Sequence, residues 1–215
     1  MLSKRLETIK EFVDTGSKVG DIGADHGKLI IDLVKSNITS FAYASDNKKG
    51  PFESLSKAVA RANLNGKIII RLTDGLNLLP KEIDTIILSG MGGDLVISIL
   101  ENGKNEVTQV ETIIVSCHTQ IENMRRYVCS QGFYISKEEI VFDKHYYEII
   151  KFERGHKEYN DDDYAFGPLL RRDKNFIFCT KYQKRKNDIL RLLHENISLK
   201  RKETLLKELE RIDNL

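Results

Sequence analysis

Four of the nine carboxylates in the first 75 residues of this chain stand at the end of a short apolar run or just past it. Asp21 and Asp25 frame the turn Asp21-Ile22-Gly23-Ala24-Asp25-His26-Gly27, Asp46-Asn47 follows the run 40–45, and Asp74-Gly75 follows the run 67–72. Glycine allows a tight turn and close approach of backbone to a ligand, and a helix that starts there offers free N–H groups. Dinucleotide folds hold a pyrophosphate at such a corner through Gly-x-Gly-x-x-Gly. Here Asp21 and Asp25 occupy the turn, and their charge repels a diphosphate. They suit a ligand with cationic character, such as the amino-acid end and sulfonium of S-adenosylmethionine. Asp46, 25 residues beyond Asp21, is placed to accept both ribose hydroxyl hydrogens. Asp74-Gly75 falls where methyltransferases of this architecture meet the adenine amino group. Walker-type phosphate binding is excluded, since no Gly-Lys-Ser/Thr is present. Asp21, Gly23, Asp25, His26, Asp46, Asn47, Asp74, Gly75, Gly90 and Met91 form the expected donor set.

Gly90-Met91-Gly92-Gly93 comes after a fourth apolar run, 85–89. In adenosylmethionine enzymes this corner faces the transferable methyl. It carries neither the Asn/Asp-Pro-Pro-aromatic element of amino-group methylases nor a cysteine nucleophile. Small residues there leave space for a flat base and supply N–H donors. His26, Met91, Asp94 and His118 are the candidates around an acceptor. Each also has a plainer role. His26 can cap a helix or touch the donor's carboxylate, Met91 can simply pack, and Asp94 suits the first turn of a helix. Asp25 can serve as a helix N-cap, and Cys117 keeps open a cysteine-dependent methylation of a pyrimidine carbon. His145, His156 and His194 have no partners at ligand spacing, so no metal is expected.

Positioning these groups requires alternating strands and helices. β-prone runs at 18–22, 40–45, 67–72, 85–89 and 112–116 alternate with helical patterns at 28–36, 51–64, 94–102 and 121–131. This rhythm predicts a mostly parallel sheet covered on both faces, an α/β Rossmann-like domain. Leu2, Leu6, Ile9, Phe12 and Val13 share one face of a helix before it. Two strand-like runs without an intervening helix follow residue 131 and read as an edge hairpin turning near Asp143-Lys144. Residues 155–168 read as a polar, acidic linker ending in Gly-Pro. Beyond it, Phe178, Tyr182, Ile189 and Leu193 mark one helical face, and Leu205, Leu206, Leu209 and Ile212 another. The expectation is a domain over 1–160 and a small helical, coiled-coil-like extension over 161–215.

The composition bounds the partners. Lys and Arg number 34 against 32 Asp and Glu, yet 169–215 carries thirteen basic and seven acidic residues. That segment has a surplus of six positive charges and the remainder a deficit of four, which predicts a polyanionic partner. Arg171, Arg172, Lys174, Lys181, Lys184, Arg185, Lys186 and Arg191, with Arg125 and Arg126 of the body, are the candidate phosphate contacts. No run of eighteen apolar residues predicts a membrane span, and the first residues lack a signal-peptide core. Cys117, Cys129 and Cys179 form no CxxC, which predicts neither disulfides nor a zinc site and fits a reducing cytoplasm.

The segments LSKRL, DIGADH, DNKKGPF, DGL, GMGG, YYEI and FGP together resemble the bacterial tRNA adenine-22 N1-methyltransferases, over nearly the whole chain. Two segments depart from that pattern: Gly27-Lys28 after His26, and Ser116-Cys117-His118 where the family often has Gln-Pro-Asn. The resemblance implies a Rossmann-like domain, S-adenosylmethionine as donor, and adenine 22 in the D-arm of tRNA as acceptor. A soluble cytoplasmic monomer is the expectation, with no membrane partner.

Overall fold

The computed structural model describes residues 2–215. The chain divides into two compact units, Met1–Glu158 and Tyr159–Leu215.

In the first unit, seven strands among the described residues form one sheet. They are β1 (Val19–Ile22), β2 (Ala42–Asp46), β3 (Ile68–Leu72), β4 (Thr85–Ser89), β5 (Thr112–Cys117), β6 (Phe133–Asp143) and β7 (His145–Arg154). Their order is β3-β2-β1-β4-β5-β7-β6. The first five strands run parallel, and β7 lies antiparallel between β5 and β6. β1 and β2 are buried along their whole length, as strands covered on both faces must be. Strand order reverses between β1 and β4, so a crevice opens past their carboxyl ends.

Helices α1 (Lys4–Phe12), α2 (Lys28–Lys35) and α3 (Lys49–Arg61) feed one core. Ile9, Phe12, Leu33 and Leu55 pack there with Ile87, Ile114 and Ile149 of the sheet. Gly27 lets α2 start close against α3: its φ is +65°, and a Cβ at that position would stand 2.5 Å from Leu55 Cδ1. Helices α4 (Gly93–Asn102) and α6 (Ile121–Ser130) pack on one another, with the short α5 (Lys104–Val107) between them in sequence.

Helix α6 holds the hairpin through an ion cluster. Arg125, fully buried, donates to Glu138 of β6 at 2.7 Å and to Glu148 of β7 at 2.5 Å, and both carboxylates are buried. This corrects the expectation that Arg125 meets phosphate. Its neighbour Arg126 pairs with Glu122 at 2.8 Å on its own helix.

The second unit is helical. The segment read as linker contains α7 (Asp161–Phe166), because Asn160 and Asp163 close a reciprocal capping box that starts a helix within the acidic run. Helices α8 (Pro168–Asp173), α9 (Phe176–Leu193) and α10 (Leu199–Asp213) follow. Phe178 and Ile189 of α9 and Leu205 and Ile212 of α10 are buried. Helices α9 and α10 run antiparallel, with Arg185 paired to Glu208 at 2.6 Å and Lys186 to Asp213 at 2.5 Å.

Candidate active site

A cleft of about 680 Å³ opens past the carboxyl ends of β1, β2, β3 and β4. All ten residues expected to hold a donor line it, each carried by a strand's last residues or by the turn that follows. Strand ends gather them because parallel neighbours finish level: Ile22 pairs with Ser45, and Ile22 with Leu88 on the other side.

The first turn is tied to the second strand by the N–H groups of Gly23 and Ala24, which donate to the Ser45 carbonyl at 2.8 and 2.9 Å. Gly23, Asp25 and Gly27 all have positive φ, so the chain winds left-handed three times in five residues. Asp25 is not the N-cap of α2; that position is Gly27, with no side-chain cap. Instead the Asp25 N–H donates to Asp46 Oδ2 at 3.3 Å, while Asp46 Oδ1 accepts the Lys48 N–H at 2.9 Å. These bonds aim the buried Asp46 carboxylate. Asn47 donates to Asp74 Oδ1 at 3.1 Å and joins the β2 corner to the β3 corner. A Cβ at Gly23 would stand 3.2 Å from the Met91 methyl, so Met91 reaches from the β4 corner back to the first turn.

Asp21 is buried, and burial pushes its carboxyl up to about 7 from its ordinary 3.8, against the opposing pull of Arg5. A group so poised responds to a cation placed beside it. Asp25 and His26 are solvent-exposed and lie 3.6 Å apart.

Two of the acceptor candidates lie away from the cleft lining. Asp94 is an exposed acid in the first turn of α4, the role that complements the helix dipole. His118 is exposed just beyond β5 and stacks against His145 of the hairpin. The β4 turn leaves the expected space at Gly90, which lines the cleft, but not at Gly92 and Gly93. A Cβ at Gly93 would stand 2.5 Å from the Gln120 carbonyl oxygen, and one at Gly92 2.8 Å from Thr119 Oγ1. The loop after β5 therefore packs directly on that turn, and the glycines permit it. Cys117 is fully buried and does not line the cleft, which gives no support to a cysteine nucleophile.

Arg5, Lys28, Leu95 and Ile99 also line the cleft and escaped the sequence reading. Leu95 and Ile99 had a signal: they sit four apart on α4, on a face different from that of the buried Val96 and Leu100. Arg5 had none, since only the fold carries the start of α1 over the crevice. Its Nη1 is buried and makes no hydrogen bond among the described residues. Among those residues, no three His, Cys, Asp or Glu side chains gather as metal ligands, and no helix is long and apolar enough to cross a membrane.

A methyltransferase-domain family model matches residues 2–150. The tRNA (adenine(22)-N(1))-methyltransferase of Bacillus subtilis (strain 168) is 33% identical over 189 residues, covering 84% of this chain and 79% of that one. Three solved structures are similar across 100% of this chain. Streptococcus pneumoniae Sp1610 in complex with S-adenosyl-L-methionine is 31% identical, with 99% of its chain covered and a TM-score of 0.93. B. subtilis TrmK, an m1A22 tRNA methyltransferase, is 28% identical, with 98% covered and a TM-score of 0.90. M. capricolum TrmK, solved with S-adenosyl-homocysteine, is 26% identical, with 97% covered and a TM-score of 0.90.

Proposed function

The chain belongs to the tRNA (adenine-22-N1)-methyltransferase family, and we propose that it transfers a methyl group from S-adenosylmethionine to N1 of adenine 22 in tRNA. The observation that carries this reading is the set of carboxylates on successive corners of one cleft.

The residues present fit the donor. Asp21 and Asp25 face its cationic amino-acid end, and Lys28 on the same wall offers a cation to its carboxylate. Asp46, already oriented by two backbone N–H groups, keeps lone pairs for the ribose hydroxyls. Asp74, held by Asn47, takes the adenine amino group, and Leu95 and Ile99 give an apolar wall to its ring. The donor brings an electrophilic methyl on a sulfonium. Met91 spans the cleft between the β1 and β4 corners, where it limits the space beside the reacting centre.

Adenine N1 needs no deprotonation, because it attacks with a ring lone pair. The new N–C bond forms as the C–S bond breaks, the electron pair leaves on sulfur, and the purine acquires the positive charge. A site without a strong base is sufficient for this step. Proximity and alignment supply most of the acceleration, and the acidic cleft stabilises the charge that appears on the product ring. N1 lies on the pairing edge, so adenine 22 must be met unpaired or swung out.

The helical unit supports the tRNA partnership in a form different from the expected one. Arg171, Arg172, Arg185, Lys186 and Arg191 are engaged with neighbouring carboxylates, which shields much of the expected patch. Lys184, Lys200, Arg201 and Lys202 are exposed, and we assign the phosphate contacts to these four. The test is to incubate the protein with labelled donor and unfractionated tRNA, then map the modified nucleoside. A 1-methyladenosine at position 22 is the expected product, and its absence alongside measurable donor binding overturns the assignment.

A further inference from the structure

Outside the donor cleft, three aromatic rings meet where the loop after β5 touches the edge hairpin. His118 and His145 stack with centroids 6.0 Å apart and planes 19° from parallel. Tyr147 stands nearly perpendicular to both, at 5.4 Å from His118 and 6.3 Å from His145. Both imidazoles are exposed to solvent, whereas Tyr147 is half-buried and rests on the core. Resting on the core is enough to account for Tyr147, but it leaves the two histidines on the surface unexplained.

Arg5 connects this cluster to the donor cleft. Its guanidinium carbon lies 5.1 Å from the Tyr147 ring centroid, yet the same side chain lines the cleft and stands about 4 Å from where a Cβ at Gly90 would be. Its Nη1 is buried and makes no hydrogen bond among the described residues, so the guanidinium is not tied down on that side. The aromatic surface therefore begins at the β4 corner, which is where an acceptor ring must sit to reach the donor's methyl.

Resting on the methyl-transfer reading above, we propose that His118, His145 and Tyr147, with Arg5, form the platform on which the base of the acceptor nucleotide stacks. Every base has a π-face, and exposed aromatic rings beside a cation are the usual means of holding an unstacked one. The hairpin brings the parts together: Cys117 pairs with Glu148, so the residues flanking that pair, His118 and Tyr147, fall side by side on the same face. Glu148 points to the opposite face, where Arg125 holds it.

The test compares the wild type with His118→Ala, His145→Ala and the double variant, none of which alters a residue lining the donor cleft. Removing one stacking ring should lower kcat/KM for tRNA by roughly 5- to 100-fold, with donor affinity by calorimetry unchanged. The deficit should persist at high salt, whereas the effect of deleting a phosphate-binding cation fades as salt rises. Replacement by Phe at either position should restore most of the activity, which a purely structural histidine would not predict. A tRNA carrying 2-aminopurine at position 22 should change fluorescence on binding the wild type and not on binding the double variant. If the wild type methylates adenine 22 and both Ala variants do so equally well, the platform is refuted and the enzyme assignment stands. A wild type that binds donor but leaves adenine 22 unmodified refutes the assignment, and the platform with it.

Discussion

Replacing Asp21 with Asn should make the free protein more stable and a poor donor binder at once. Burial raises the Asp21 carboxyl from 3.8 to about 7, so the folded chain holds a proton there that the unfolded chain releases. Stability then falls as pH rises from about 4 to about 7, and the full cost is present above 7. The climb corresponds to about 4 kcal/mol at 1.36 kcal/mol per pH unit, an order-of-magnitude figure. Asparagine fills the same volume without a charge, and recovering even half of that cost would raise the thermal midpoint at pH 8 by roughly 4–8 °C. At pH 5 the wild-type carboxyl is protonated and the two proteins should melt within a degree or two of one another. Donor binding has the opposite sign. An ammonium group beside Asp21 favours the carboxylate, so wild-type affinity should be roughly tenfold weaker at pH 6 than at pH 8. Titration calorimetry in two buffers of different ionisation enthalpy should report about half a proton released at pH 7. The Asn variant should bind weakly with a flat pH profile. A wild-type dissociation constant that stays level from pH 6 to 8, or an Asn variant that melts lower than wild type at pH 8, would refute the reasoning.

Three further outcomes follow from the geometry. Asp46→Ala removes a carboxylate that organises two backbone N–H groups, and calorimetry should show donor affinity reduced about 10- to 100-fold with tRNA affinity unchanged. Charge reversal at Lys184, Lys200, Arg201 and Lys202 should weaken tRNA binding in filter-binding assays and leave donor affinity intact by calorimetry. The slope of log affinity against log salt should flatten by roughly 0.7–0.9 for every phosphate no longer neutralised. Arg125→Ala leaves Glu138 and Glu148 buried without their shared cation, and denaturant titration should show stability reduced by about 3–5 kcal/mol.

The lining of the cleft was legible because its evidence is local. An acid at or just past the end of each of the first three strands is visible once the strands are found, and the apolar runs placed the five parallel strands within two residues of their observed bounds. Short helices were harder. Helix α5 has four residues after Gly103, too few for a hydrophobic period to show. Helix α7 hid within three consecutive aspartates, although Asn160 and Asp163 at capping-box spacing were there to be read. Arg125 was misplaced because two adjacent arginines look like a solvated patch. The phase of α6 gives a different answer: Arg125 lies three and four residues before Val128 and Cys129, both buried, on the inward face. The aromatic cluster offered no such cue, since His118 and His145 become neighbours only when β7 returns antiparallel to β5.

Arg125, Glu138 and Glu148 also constrain how this chain can diverge. Three positions on a helix and two strands share one desolvated network, so losing Arg125 strands two buried carboxylates, and losing either glutamate leaves Arg125 with one ion-pair partner fewer. An all-hydrocarbon version of the same volume is accessible in principle, but only by passing through damaged singles. Relatives should therefore keep the trio intact or have exchanged it wholesale, and the hairpin should drift in step with α6 while the neighbouring surface varies freely.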